Sequence, residues 1–240
     1  MHTKIKNFGT PDNNEVDGTF NVLIWNVHKC LSNVLEQDLK YMLRYCDIVL
    51  MQEAVISEYW EKALAYFDRF EWSFFKSFNL RKNSETWVLT GSRFDRIAQS
   101  ILPTKHKEPI LRTPKASGIS LFPIKNSMEK LMVINTHAMN FNFWTPFMEQ
   151  ISEIAESIQW HIGPMIWAGD FNTWSKWRME FLMQIAESLW LEKIDFSYDP
   201  RFLKLDHILY RGLAPITCEI FDTVKSSDHY PISAQFELIK

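Results

Sequence analysis

Hydrophobic positions along this chain fall into short, nearly unbroken runs, each closed by a polar residue. Residues 20–25 carry Phe20, Val22, Leu23, Ile24 and Trp25, and runs of the same kind occupy 47–52, 131–135 and 165–168. Runs of that length, rich in β-branched and aromatic residues, predict strands buried on both faces. A second pattern repeats every three to four residues. Leu35, Leu39, Met42 and Leu43 mark an amphipathic helix over 34–45, and Phe147, Ile151, Ile154 and Ile158 mark another over 146–160. Segments 58–67 and 176–190 are read the same way. Further strands are expected at 71–78, 86–90, 96–102 and 118–123, with a polar turn at 81–84 between the first two. Near the end, Ile232, Ala234, Phe236 and Leu238 alternate with polar neighbours, which predicts antiparallel pairing with one face less covered. Strands and helices so mixed exclude an all-α or all-β fold. A simple doubly wound parallel sheet fits poorly.

The residues that close these runs carry the chemistry. In the stretch 165–174 a buried run ends at Gly169, and Asp170 and Asn172 follow two residues apart. Side chains alternate in extended backbone, so this carboxylate and carboxamide can point together while Phe171 turns into the core. An acid that accepts a proton or faces a cation, beside an amide that donates to a phosphate oxygen, suits a metal-bound phosphate. Asn26, Glu53 and His137 likewise follow strands, whereas Asp206, Asp228 and His229 precede theirs. If those later strands run the other way, all eight side chains meet at one sheet edge, where loops on a rigid core place functional groups. Taken singly, each has a structural explanation: a turn residue, a surface carboxylate or a hydrogen-bonded core histidine. His207 is read as structural.

Composition narrows the rest. A 240-residue chain with 46% hydrophobic and 15% aromatic residues can bury a large core, and no composition shift marks a linker. A single domain over 20–240 is therefore expected, preceded by a mobile polar arm at 1–19. The net charge of −3 excludes a nucleic-acid polycation. Residues 76–115 nevertheless hold nine Lys/Arg against three Asp/Glu, including a proline-bounded basic loop at 103–114 that could flank a phosphorylated substrate. Cys30, Cys46 and Cys218 are odd in number and lack metal-type spacing, so they read as free thiols in a reducing compartment. With no signal-like or membrane-spanning run, a cytoplasmic protein is expected, with a monomer as the default.

Six motifs occur in the order seen in the endonuclease/exonuclease/phosphatase superfamily, which the chain resembles from about residue 20 to its end. They are Asn26 after Leu23-Ile24-Trp25, Glu53 after Leu50-Met51-Gln52, Asn135-Thr136-His137, Gly169-Asp170-Phe171-Asn172, Leu205-Asp206 and Ser227-Asp228-His229. More closely it resembles the bacterial YafD-type branch. The segments that carry this are 25–29, 109–115, 137–141, 174–179 and 210–212. The resemblance implies a DNase I-like four-layer α/β sandwich, two packed mixed β-sheets flanked by helices, and hydrolysis of a phosphoester dependent on Mg²⁺ or Mn²⁺. Carried over, Glu53 is the main metal ligand, supported by Asn26 and Asp228, and Asp170 orients or deprotonates the attacking water. Asn172 and His229 hold phosphoryl oxygens, Asp206 orients His229, and His137 completes the catalytic set. Asn140, Arg112, Lys115 and Trp174 join Asn172 as substrate contacts. Abasic-site endonucleases usually place an aromatic side chain where His137 stands, which argues against that activity.

Three substrate readings follow. A nuclease or phosphodiesterase acting on short or single-stranded nucleic acid is favoured, with the basic stretch and Trp144, Trp174 and Trp177 as stacking candidates. A hydrolase of small, inositol or lipid phosphoesters is the second. A catalytically silent binding protein on the same fold is the third, and a full set of competent residues argues against it.

Overall fold

The structure is a computed structural model, and it describes residues 5–55, 57–79, 85–105, 115–140 and 144–239. The first half holds strands β1 (Ile5–Phe8), β2 (Thr19–Asn26), β3 (Ile48–Val55), β4 (Glu71–Asn79), β5 (Glu85–Ser92) and β6 (Ala98–Pro103). Helices α1 (Leu35–Met42) and α2 (Glu58–Ala65) lie among them. The second half holds β7 (Ala116–Pro123), β8 (Lys130–His137), β9 (Met165–Asp170), β10 (Glu192–Lys193), β11 (Asp206–Arg211), β12 (Leu213–Ile220) and β13 (Ile232–Leu238). Helix α3 (Trp144–Ile158) precedes β9, and α4 (Lys176–Ser188) follows it.

Two mixed sheets result, ordered β1-β4-β5-β3-β2-β13-β12 and β10-β11-β9-β8-β7-β6. The continuous apolar runs are explained by what lies on either side of each strand. Val22, Ile24, Ile48 and Leu50 face Val133, Ile166, Ala168 and Ile208 between the sheets. Their neighbours Leu23, Trp25, Val49 and Met51 point the other way, onto Leu35, Leu39, Trp60 and Leu64 of α1 and α2. Across the second sheet, Met132, Ile134, Met165 and Trp167 meet Phe147 and Ile151 of α3 and Leu182 of α4. The order helix, sheet, sheet, helix is the four-layer sandwich.

Three strands have no strong sequence signal. β12 carries Pro215 and is largely exposed, as an edge strand allows. β10 has two residues. β1 lies in the stretch expected to be a mobile arm, which the structure corrects. Ile5–Phe8 pairs antiparallel with β4, Asn13 bridges Phe94, and Val16 bridges Ile124 with its side chain fully buried. A polar composition hid one apolar anchor and one edge pairing, whose backbone hydrogen bonds do not depend on side-chain polarity.

Candidate active site

Strand direction brings the polar ends together. β2 and β3 are parallel, with Asn26 opposite Gln52. β8 and β9 are parallel, with His137 opposite Asp170. β11 runs against β9, so its first residue, Asp206, also lies opposite Asp170. β13 runs against β2, and the turn before it is fastened at Asn26. Ser227 Oγ donates to the Asn26 carbonyl at 2.6 Å, and Trp25 Nε1 donates to the His229 carbonyl at 3.0 Å.

Two backbone irregularities aim the side chains. The β3–β5 register shifts between Met51 and Ala54, and Glu53 adopts φ 56°. The bulge lets Gln52 turn inward, where its Nε2 donates to Asn135 Oδ1 across the sheets at 2.7 Å, while Glu53 is only partly covered at the edge. Asn172 has φ 51°; its N–H donates to Asp170 Oδ1 at 3.0 Å and its Nδ2 to the Ala138 carbonyl at 3.0 Å.

Contacts link the expected residues into one cluster. Asn26 Nδ2 donates to Asp170 Oδ2 at 3.0 Å, and Asn26 Oδ1 accepts the His28 N–H at 3.1 Å, so both ends of this amide are engaged. His137 Nε2 stands 3.6 Å from Asp170 Oδ2 and 3.7 Å from Glu53 Oε1. Lys115, nearly buried, brings Nζ to 2.8 Å from His137 Nε2 and 3.8 Å from Glu53 Oε1, while Lys29 Nζ is 3.5 Å from Glu53 Oε2. His229 Nδ1 and Asp206 Oδ2 are 2.8 Å apart. Asp228 is further out, with its side chain 60% exposed and Oδ1 3.5 Å from His28 Nδ1.

The protonation states follow from these neighbours. Burial, with Asp206 alongside, pushes the Asp170 carboxyl up to about 6. Burial alone would lower His229, but Asp206, with Asp170 and Asp228 behind it, raises it to about 10. Burial and then Lys115 hold His137 well below the usual imidazole range, so it is neutral and its Nε2 accepts from the Lys115 ammonium. His207 is structural: buried, lowered by that burial to about 4, with Nε2 2.7 Å from Thr173 Oγ1.

The donor set suits a hard dication, with carboxylate oxygens on both sheets and Asp206 Oδ1 buried without a hydrogen-bond partner. One atom each from Asp170, Asp206 and His229 lies within 4.8 Å of the other two. A protonated His229 cannot ligate, however, and it already offsets one of the cluster's two carboxylate charges. Glu53 has Lys29, His137 and Lys115 around it at 3.5, 3.7 and 3.8 Å, and none of them is close enough for a good hydrogen bond.

Of the expected substrate contacts, Asn172 and Lys115 lie in the cluster. Trp174, 45% exposed, stands beside it and reaches the Asn140 carbonyl through Nε1 at 3.4 Å. Arg112 and most of the basic loop lie outside the described residues, as does the Trp144 side chain. The basic stretch is not one substrate-facing patch: Arg93 is bound by Asp12 and Asp47, and the buried Arg96 by Glu71. Trp177 sits edge-on to Phe147 at 5.8 Å rather than offering a free face. Sequence reasoning did not single out Lys29, Gln150 or Arg178. Gln150 of α3 accepts the Met139 N–H at 2.8 Å and donates to the His137 carbonyl at 3.1 Å, which fixes the loop after β8. The signal for Arg178 was present: it shares a helical stripe with Leu182 and Ala186, where a charge is out of place.

No helix among the described residues is long and apolar enough to cross a membrane. Comparison with known proteins matches residues 23–229 to the model of the Endonuclease/Exonuclease/phosphatase family. A UPF0294 protein of Yersinia enterocolitica is 40% identical over 56% of this chain, a match spanning about half (53%) of the relative's own length. A UPF0294 protein of Vibrio campbellii is 30% identical over 96% of the chain and 82% of the relative, consistent with the YafD-type branch. Among solved structures, an endonuclease/exonuclease/phosphatase from Beutenbergia cavernae superposes with TM-score 0.71 at 15% identity, covering 92% of this chain and 72% of the other. TDP2 of D. rerio, complexed with a single-strand DNA product, superposes with TM-score 0.66 at 14% identity, covering 91% and 98%.

Proposed function

Since the chain belongs to the endonuclease/exonuclease/phosphatase family, whose members are generally divalent-metal-dependent hydrolases of phosphoesters, we propose that it cleaves a phosphodiester by direct attack of water. The observation that carries this reading is the strand register that sets Asp206 opposite Asp170, with His229 Nδ1 2.8 Å from Asp206 Oδ2. A base at about 6 thereby stands near an imidazole kept protonated by Asp206. The two groups are poised for opposite tasks near neutral pH. Asp170 takes a proton from water as its oxygen bonds to phosphorus and the bond to the leaving oxygen breaks. His229 donates to a phosphoryl oxygen, and Asn172 supports the same group.

Glu53 would hold Mg²⁺ or Mn²⁺, with Asp228 at the rim and Asn26 orienting Asp170. The cation would offset charge developing on the phosphoryl oxygens. Lys29 and Lys115 would then face substrate oxygens, with neutral His137 positioning Lys115. For the substrate we favour short or single-stranded nucleic acid. Trp174 offers a ring beside Asn172, the net charge of −3 disfavours long duplex, and D. rerio TDP2 holds a single-strand DNA product on a similar fold. Three free thiols, with Cys30 and Cys46 pushed by burial to about 11 and 12, suit the reducing cytoplasm we assign.

The test is hydrolysis of bis-p-nitrophenyl phosphate, single- and double-stranded DNA and RNA, inositol phosphates and phospholipids, with Mg²⁺, Mn²⁺ or chelator. Cleavage of the diester and of single strands, lost with chelator and in Asp170→Asn, is expected. Preference for monoesters would favour a phosphatase, and no cleavage of any substrate would reject catalysis.

A further inference from the structure

Arg178 is a charged side chain with no exposed surface, on the helix that follows the site. Its Nη1 donates to the carbonyls of Met139 at 2.7 Å and Asn172 at 3.1 Å, and its Nη2 to that of Asn140 at 2.9 Å. Its guanidinium carbon lies 4.4 Å from the ring centre of Phe147, 4.8 Å from Trp174 and 5.4 Å from Trp177. Met139 and Asn140 leave the end of β8 just after His137, and Asn172 leaves the end of β9 just after Asp170. One planar group therefore joins the two loops that leave β8 and β9 at the site.

We propose that Arg178 is a positioning residue that fixes these loops against each other and so sets the aim of Asp170 and Asn172. The proposal rests on the reading of those two residues as groups that meet water and phosphate. The path is short. Asn172 holds its left-handed backbone between two hydrogen bonds: its N–H to the Asp170 carboxylate, and its carbonyl from Arg178. Release of the carbonyl frees the 172–173 peptide unit, and with it one of the two restraints on the left-handed turn at Asn172 that presents its N–H to Asp170. Only a guanidinium suits the position. It sends donors in two directions within one plane while its faces rest on aromatic rings, whereas a lysine ammonium is a point charge without that fork. Burial of a cation is costly, and an apolar side chain could fill the same space. Filling space is therefore not what the arginine adds; joining three carbonyls is.

Arg178→Lys and Arg178→Met test this on the full chain. Both should lower kcat for bis-p-nitrophenyl phosphate by about 100-fold while KM moves far less, since sub-ångström misplacement acts on the chemical step. Methylguanidinium should restore part of the rate in Arg178→Ala, where it can enter the vacated site. Independently of turnover, amide hydrogen exchange should quicken in 137–140 and 170–174 of Arg178→Lys and stay unchanged in the strands. If the wild-type protein cleaves nothing, the proposed function fails, but the exchange measurement still decides whether Arg178 fixes the loops. Unchanged exchange and kcat in Arg178→Lys would overturn the proposal. So would exchange that quickens throughout the protein, or failure of both substituted proteins to fold, because Arg178 would then serve general stability.

Discussion

Asp170 and His229 are both raised by one shared neighbour, for opposite reasons. Burial, and then repulsion by Asp206, raises Asp170 to about 6, while Asp206 attracts the imidazolium and, against the effect of burial, raises His229 to about 10. Asp170 works as a base only when deprotonated, so activity should rise through about pH 6, or lower where a bound dication adds its own charge. His229 donates only while protonated, so activity should fall as pH passes about 10, and a rate profile from pH 4 to 11 reads both limbs as values of the coupled pair. Asp206→Asn removes the attraction that keeps His229 charged, and burial then drives the imidazole down. The alkaline limb should move to below neutrality, with kcat at pH 8 reduced by about 100-fold or more. An unmoved alkaline limb in Asp206→Asn would show that another group controls it.

Element ends decide what could be foreseen. The strands that end in Asn26, His137 and Asp170 were legible because residues buried on both faces leave an unbroken apolar run, and the polar residue that stops the run is the one at the edge. Lys115 was legible as a basic substrate contact; that its ammonium lies against His137 depends on β7 pairing with β8, a contact between distant residues. Asn135 was legible as part of a motif but not as a tie between the sheets, where it bonds Gln52 and the Leu89 carbonyl at 2.7 and 2.9 Å. Gly169 shows what register demands. Its φ is 139°, and a Cβ there would stand 2.0 Å from the Thr136 carbonyl oxygen of the adjacent parallel strand. Backbone cannot yield as a flexible side chain can, so Gly169→Ala should cost about 3 kcal/mol or more, by analogy with other substitutions that force strain into a core. Urea unfolding measures it, and a loss below about 1 kcal/mol would show that β8 and β9 can separate locally.

At the scale of the whole molecule, the site is shared between the sheets. The first supplies Asn26, Glu53 and the turn bearing His229; the second supplies His137, Asp170, Asn172 and Asp206. Two cation positions are conceivable on such a seam: at Glu53, or in the cluster of Asp170, Asp206 and His229. Ligand availability favours Glu53, because the protonated His229 cannot ligate in the cluster, whereas among the described residues no side chain makes a close hydrogen bond with Glu53. Ligand binding stabilises a folded protein by about 2.7 kcal/mol at 100 times Kd. At about 2–4 °C per kcal/mol for a chain of this size, saturating Mn²⁺ should raise the melting temperature by about 5–10 °C. Glu53→Gln should abolish that rise, whereas Asp170→Asn should keep most of it while losing turnover. The reverse pattern, with the shift lost in Asp170→Asn and kept in Glu53→Gln, would move the cation into the buried cluster and require His229 to be neutral there.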